Sequence, residues 1–355
     1  MTINKFIENL KPYIPIPHKI WEQDNQREIL KIDWNESTIA PSPKVINALQ
    51  YFLTNGNLNW YPNTHNNALY SELSKYCNMD SKNIEIFASS DCLHEYILSV
   101  FLNVGDKVCI VAPTYDNFRA RAQGIGIETL FFDLDCDFNI DFRQFYDYLK
   151  HNVPQMVYIC NPNNPTGKAY DKEQLKHLIK EFSNILFVID EAYFEFCQIT
   201  FSDCLVDFKN LIITRTFSKA FGLASFRIGY CLSQSQNIDL LNKLRNPKSI
   251  SQFAQIAALY ALKDIDYMQQ YAQEVIESRA FFIESVHKIG LKIYDSKANF
   301  VLLEYNRNLC EALETKNIFI RNYSHIIPNH YRITIGTMSQ MKRVLNALND
   351  LFVGI

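Results

Sequence analysis

The chain has 355 residues, 48% hydrophobic and 21% charged, with a formal net charge of −3 at neutral pH. That length exceeds what one hydrophobic core usually carries, so two domains are expected. The balance of charge gives no field for a polyanion, no basic run suggests nucleic acid, and no apolar stretch approaches the roughly 20 residues that span a bilayer.

The first residues, Met1 to Phe6, lack an apolar segment with a cleavage site, so no secretory signal is expected. Up to about Asp33 the chain reads as an arm with irregular prolines at Pro12, Pro15 and Pro17. Ser42-Pro43 then opens a helix carrying Val45, Leu49 and Phe52 on one face. Between about residues 82 and 233, strand-like runs at 108–112, 129–132, 155–160, 185–189 and 211–214 alternate with helical ones. This alternation predicts a mostly parallel sheet covered on both faces by helices. Beyond about Asn237 helical character rises, with an amphipathic stretch over 267–289. Short strands at 300–303, 318–321 and 331–335 and a closing helix after Gly336 then predict a separate α+β domain. The nine cysteines form no Cys-x-x-Cys pair, and Cys109 and Cys160 fall in expected core strands. That is the usage of a reducing cytoplasm, where this chain is expected to work.

Three segments carry chemistry. Lys219 lies in Arg215-Thr216-Phe217-Ser218-Lys219-Ala220-Phe221-Gly222-Leu223, just past an apolar run and before Arg227. Its amine can condense with an aldehyde, while Thr216, Ser218 and Arg227 can hold a phosphate nearby. Alone, Ser-Lys on a loop reads more readily as a solvated surface lysine, and the two segments that follow overturn that reading. The second segment, Asn161-Pro162-Asn163-Asn164-Pro165-Thr166-Gly167, ends a strand-like run and precedes a helix opened by Asp171. Two prolines and a glycine fix a sharp turn there, with Asn164 at the carboxyl end of a strand, where open α/β sheets bind ligands. In the third, Ile185-Leu186-Phe187-Val188-Ile189 makes a buried strand and Asp190-Glu191-Ala192-Tyr193 follows directly. A carboxylate there needs a cation or hydrogen bonds. A protonated pyridine nitrogen is such a cation, and Tyr193 would point a phenol at the same ring.

In this order the three segments resemble the class I and II aminotransferases of the pyridoxal-phosphate fold-type-I superfamily, with the closest likeness to histidinol-phosphate aminotransferases. The resemblance runs from about Asn35 to Gly336. It implies an α/β fold, a mostly parallel seven-stranded sheet with helices on both faces, plus a smaller α+β domain. It implies an arm over 1–35 packing with the small domain, a large cofactor-binding domain over 36–240 and a small domain over 241–355. A homodimer would use pyridoxal 5'-phosphate, an amino acid donor (glutamate) and a small phosphorylated ketone.

By the same resemblance, Lys219 would carry the cofactor and move the substrate Cα proton, and Asp190 would keep the pyridine nitrogen protonated. Asn164 and Tyr193 would hydrogen-bond the ring oxygen, and Tyr115 would stack on the ring. Ser89, Ser90 and Asp91, at a helix amino terminus, would hold the phosphate with Thr216, Ser218 and Arg227. Tyr61 would reach the phosphate of the neighbouring subunit. Arg332 would grip the substrate α-carboxylate as a bidentate pair, Arg321 a distal phosphate, and Asn35 would line the substrate side. Phe87 and Ser89 stand where the family usually has glycine, Trp60 where it has arginine and Ser37 where it has asparagine. Arg119 and Arg121 lie two apart on a helix, point away from each other and read as solvated. The eight histidines show no metal-ligand spacing, and His65 and His94 have no evident partner in the sequence.

Two choices stay open at this level. A decarboxylase acting on phosphoserine or phosphothreonine would use nearly the same residues, because only the Cα bond set perpendicular to the ring differs. The acceptor could be imidazole-acetol phosphate or a three-carbon ketone such as dihydroxyacetone phosphate in a smaller pocket. A catalytically silent scaffold would be expected to lose Lys219 or Asp190, and both are present.

Overall fold

The computed structural model describes residues 3–13 and 19–352; Pro15, Pro17 and the first two residues of the expected arm lie outside the described residues. In chain order the elements are α1 (Lys5–Glu8), β1 (Leu30–Lys31), α2 (Pro43–Asn55), α3 (Asn67–Cys77), β2 (Ile84–Phe87), α4 (Ser90–Phe101), β3 (Lys107–Ala112), α5 (Asn117–Gly124) and β4 (Glu128–Asp133). Next come α6 (Phe142–Asn152), β5 (Met156–Cys160), α7 (Lys172–Glu181), β6 (Leu186–Asp190), β7 (Leu211–Thr216), β8 (Gly229–Ser233) and α8 (Ser235–Leu244). The last part holds α9 (Gln252–Leu262), α10 (Ile265–Lys288), β9 (Lys292–Ile293), β10 (Phe300–Glu304), α11 (Leu309–Glu314), β11 (Ile318–Phe319), β12 (Arg321–Asn322), β13 (His330–Thr334) and α12 (Met338–Phe352).

The central sheet has seven strands in the order β2-β8-β7-β6-β5-β3-β4. Only β8 runs against its neighbours; the other pairings are parallel. Strands β5 and β7 are buried at every residue and β6 at all but Leu186. Near-continuous apolar runs suit this position, since helices cover both faces of a parallel sheet. The helices start where short polar side chains accept the first free amides: Ser42 Oγ from Lys44 N, and Asp171 Oδ1 from Gln174 N. The architecture is the α/β one expected, and β6 and β7 end side by side with their acid and lysine segments on the same edge.

A second sheet, β12-β13-β10-β9, lies beyond α10 in the chain, and β1 pairs with β11 as a separate two-stranded ribbon. The single strand expected over 318–321 is therefore two. The chain breaks at Ile320, leaving β1 for β13, and this step sets Arg321 opposite Arg332 in register. The arm divides its contacts. Helix α1 rests on α5, and a Cβ at Gly126 would meet the Phe6 ring at 2.6 Å. Residues 30–32 instead join the carboxyl-terminal part, with Leu30 N donating to Asn317 O and Ile32 N to Phe319 O.

The turn between β2 and α4 holds a conformation unusual for its residue. Ser89 takes φ 90 and ψ 161, a region occupied almost wholly by glycine. Ser89 caps α4, its Oγ accepting from Cys92 N at 3.3 Å. Across from it, a Cβ at Gly229 would fall 2.8 Å from Ser90 N and 2.8 Å from Arg215 O, so glycine there lets the turn lie against the end of β7. The strain at Ser89 costs about 1–3 kcal/mol, whereas exchanging a serine cap for glycine costs only a few tenths. Ser89→Gly is therefore expected to raise the urea midpoint of the apoprotein with an unchanged slope. A lowered midpoint would show that the cap outweighs the backbone strain.

Candidate active site

The carboxyl ends of β5, β6 and β7 bring Asn164, Asp190 and Lys219 together with a strut formed by residues 33–35. Lys219 Nζ donates to Trp34 O at 3.1 Å and sits 5.7 Å from the centre of the Tyr193 ring. Burial lowers its ammonium to about 8; Glu36 opposes that shift and Arg332 adds to it. Tyr193 is buried, and its oxygen accepts from Asn35 Nδ2 at 3.1 Å. Asn35 is itself fixed by Thr334, which donates from Oγ1 to Asn35 Oδ1 at 3.1 Å and accepts from Asn35 N at 3.0 Å.

Asp190 is buried at the end of β6. Its Oδ2 accepts from Tyr158 Oη at 2.8 Å and its Oδ1 from Ala192 N at 3.1 Å. The His94 ring adds a contact that its sequence position does not reveal. His94 Nε2 lies 3.1 Å from Thr214 Oγ1 and 3.8 Å from Asp190 Oδ2, while its Nδ1 is buried without a hydrogen-bond partner among the described residues. His94 thus has partners after all, supplied by strands far along the chain. His65, also without an evident partner in the sequence, meets Thr64 Oγ1 at 3.3 Å.

At the amino terminus of α4, Ser89 and Ser90 lie against Gly229, which pairs with Thr216 at the end of β7. Thr216 Oγ1 donates to Ser218 Oγ at 2.9 Å and accepts from Ser218 N at 3.1 Å. The Asp91 side chain, a carboxylate, offers no donor to an anion. Its Oδ1 accepts from Tyr115 Oη and Asn117 Nδ2, both at 3.1 Å, and its Oδ2 from Arg227 Nη2 at 3.3 Å. In this way one carboxylate ties the expected stacking tyrosine to the expected phosphate arginine.

Arg332 and Arg321 face each other on β13 and β12. Arg332 Nη1 donates to Asn164 Oδ1 at 2.6 Å and to Tyr323 Oη at 2.9 Å, and its Nη2 to Asp33 O at 2.6 Å. Asn164 is thereby oriented with its amide nitrogen left as the donor available to a ligand. Arg332 Nε and two Arg321 nitrogens, Nε and Nη1, are buried with no hydrogen-bond partner among the described residues. Such orphaned donors need an anion or water. Tyr61 is not brought to this site within the chain; it is 80% exposed, with Lys248 Nζ 4.7 Å from its ring centre. Arg119 pairs with Asp116 and Arg121 with Glu95, so neither serves the site.

These residues fit pyridoxal phosphate. An amine of lowered pKa could receive the aldehyde, a buried carboxylate would suit the pyridine nitrogen, and hydroxyls at a helix amino terminus beside Arg227 would suit the phosphate. On a sheet of this order, that demand defines the class of fold-type-I enzymes that use the cofactor. Residues 27–348 match the family model for aminotransferase class I and II, and the chain belongs to that family. It is 49% identical to a dihydroxyacetone phosphate transaminase of Campylobacter jejuni, over 99% of this chain and 97% of that protein. A histidinol-phosphate aminotransferase of a Thermoanaerobacter species is 32% identical over 91% of this chain and 93% of its own. Among solved structures, the histidinol-phosphate aminotransferase of Sinorhizobium meliloti in complex with pyridoxal-5'-phosphate superposes with a TM-score of 0.87 at 26% identity, over 99% of this chain and 98% of that one. The chain is a pyridoxal-phosphate-dependent aminotransferase.

The lowered Lys219 pKa has a measurable sign. In the folded apoprotein the amine loses its proton near pH 8, in the unfolded chain near 10.5. The unfolded state therefore binds more protons across that window, and apoprotein stability contributed by this group rises as pH climbs from about 8 to about 10.5. Lys219→Met should remove that rise, and a ¹³C-methylated Lys219 should titrate near pH 8. A titration midpoint with the surface lysines would overturn the assignment of Lys219 as a desolvated amine.

Proposed function

We propose that the chain moves an amino group from an amino acid, glutamate, to a small phosphorylated ketone, with dihydroxyacetone phosphate as the acceptor. The observation that carries this reading is the facing pair Arg321 and Arg332, two buried cations with nitrogens that find no partner among the described residues, one suited to a carboxylate and one to a phosphate. The 49% identity to a dihydroxyacetone phosphate transaminase supports the same acceptor. The relatives described above are transaminases, and none favours the decarboxylase alternative.

When bound, pyridoxal phosphate supplies an aldehyde for the amino group and a ring that draws electrons from the substrate Cα. Lys219 holds the cofactor and then serves as the base at the Cα proton. Asp190 holds the pyridine proton, kept in place by Tyr158 and Ala192 N. Asn164 Nδ2 and Tyr193 Oη would hold the ring oxygen, and Tyr115 would hold the ring face. Ser89, Ser90, Thr216, Ser218 and Arg227 take the phosphate, with Asp91 fixing Arg227. Arg332 grips the α-carboxylate, Arg321 the distal anion, and Asn35 positions Tyr193.

The working unit in this reading is a homodimer, with Tyr61 crossing to the partner's phosphate. Tyr51, Leu53, Leu58, Trp60 and Tyr61 form an exposed apolar group on α2 and the loop after it, the kind of surface that seeks a partner. In this reading the cofactor domain over 36–240 carries the seven-stranded sheet and the small domain over 241–355 the four-stranded one, while of the arm over 1–35, α1 rests on α5 and β1 pairs with β11. A reducing cytoplasm suits the free thiols, and no helix of the described residues is long and apolar enough to cross a membrane.

Truncating one partner of a buried charge pair typically costs about 2–5 kcal/mol. Arg332→Ala should therefore raise the glutamate KM steeply and affect a carboxylate-free phosphorylated amine less. Arg321→Ala should do the reverse. Each half-reaction, followed by cofactor absorbance, tests this; equal losses in both half-reactions for both variants would remove the main support for a phosphorylated substrate.

The dimer is tested by sedimentation, where wild type should run as a dimer at assay concentration. Tyr61→Phe should weaken cofactor binding by about 1.5–3 kcal/mol, the worth of a hydrogen bond to a charged group. A fully active monomer would refute the shared site.

A further inference from the structure

Resting on the reading of Arg321 as the phosphate grip, we propose that the Trp34 indole sets the size of the acceptor, closing the space beside Arg321 to ketones wider than a short unbranched chain. Trp34 touches both ends of the substrate path. Its carbonyl oxygen accepts from Lys219 Nζ at 3.1 Å, where the reacting carbon must lie. Its ring centre is 5.9 Å from the Arg321 guanidinium carbon and 5.6 Å from Lys31 Nζ. The side chain therefore stands beside the line from the amine to the distal cation.

Its backbone has little room to yield. On one side Asp33 O receives Arg332 Nη2, and on the other Asn35 is held by Thr334, Asn299 and Tyr193. Asn35 also adopts φ 58, a conformation that asparagine tolerates and that fixes the direction of the chain as it leaves Trp34. Other aromatic rings lie near Arg321. Tyr323 accepts from Arg332 Nη1 and stacks on His325 at 6.0 Å, and His325 is lowered by burial and by the Arg321 charge. A three-carbon ketone phosphate places only a chain between reacting carbon and phosphate. An imidazole-bearing ketone phosphate must also seat a five-membered ring, about the width of the ring the indole already puts there.

The test uses the holoenzyme of wild type, Trp34→Ala and Trp34→Phe. Each is given serinol phosphate, histidinol phosphate and glutamate in separate single-turnover half-reactions read by cofactor absorbance. Removing apolar bulk from a pocket changes discrimination by about 10–200-fold. Wild type should favour serinol phosphate in kcat/KM, and Trp34→Ala should shift the ratio toward histidinol phosphate by at least about tenfold, mostly through KM. Wild type accepting both amines equally would overturn the proposal and leave the phosphorylated-ketone reading standing, as would an unchanged ratio in Trp34→Ala. Wild type that converts glutamate but neither phosphorylated amine would overturn that reading, and this proposal with it. If Trp34→Ala loses the glutamate half-reaction, Trp34→Phe decides: its smaller ring must shift the ratio in the same direction, and no shift overturns the proposal.

Discussion

Drawing three cations into one buried region without spending protein carboxylates on them is the constraint on which this site depends. The hydrogen bonds made by Lys219 and Arg332 go to neutral oxygens: Trp34 O, Asn164 Oδ1, Tyr323 Oη and Asp33 O. Arg321 keeps two buried nitrogens unpartnered among the described residues. Arg215, on the same sheet, shows the contrary solution. It is fully buried, yet its Nε and Nη2 both donate to Glu191 Oε2, its Nη2 also to Thr200, and its guanidinium lies 3.8 Å from the Phe194 ring centre. One arginine is satisfied by the protein and braces the fold; the others are left short of anions. Unpaired buried charge is costly, so the site is stabilised by the anions it binds, the trade between stability and function expected at an active centre.

Much of this was legible in the sequence because the signals are local. Five-residue apolar runs ending in Asn-Pro or Asp-Glu, and the shorter run Leu211–Ile213 leading toward Ser-Lys, announce buried strands whose ends carry polar chemistry, and β5, β6 and β7 lie where those runs are. What could not be read is what long-range pairing decides. Leu30-Lys31 is too short to signal a strand, and becomes one only because β11 lies 288 residues further on. The break at Ile320 has no proline or glycine to mark it; it arises because the chain changes partner between β11 and β12. His94 falls on the buried face of α4 beside Ile97 and Leu98, so its sequence context is that of a core position. Its polar neighbour Thr214 comes from β7, 120 residues away.

The surroundings of Asp190 show how a buried carboxylate is kept in place. Tyr158 approaches from the adjacent strand β5, and the Ala192 amide from the turn that follows β6. Tyr158 is in turn stacked on Phe118 at 4.0 Å, and His94 meets both rings edge-on at 5.4 Å. This aromatic block excludes water from one side of the carboxylate and fixes the phenol that donates to it. A carboxylate with two hydrogen bonds and a dry flank interacts more strongly with a cation than a solvated one would. The open side of Asp190 is then where a pyridinium proton is best held.

The strut at residues 33–35 explains how such a site can change substrate without losing its chemistry. Asp33 and Trp34 serve the two cations through carbonyl oxygens, which every residue possesses. Asn35, by contrast, serves Tyr193 and Thr334 through its side chain, and its φ of 58 further restricts what can replace it. The middle position of the strut thus supplies its carbonyl to Lys219 whatever its side chain, while that side chain faces Arg321. A substitution there alters the pocket wall and leaves the acceptor for the amine in place. Substrate breadth and catalytic geometry are separated within a single residue, one to its side chain and the other to its backbone. The backbone is the better guarded of the two, because β1 pairs on one side and Thr334 N donates to Ile32 O on the other.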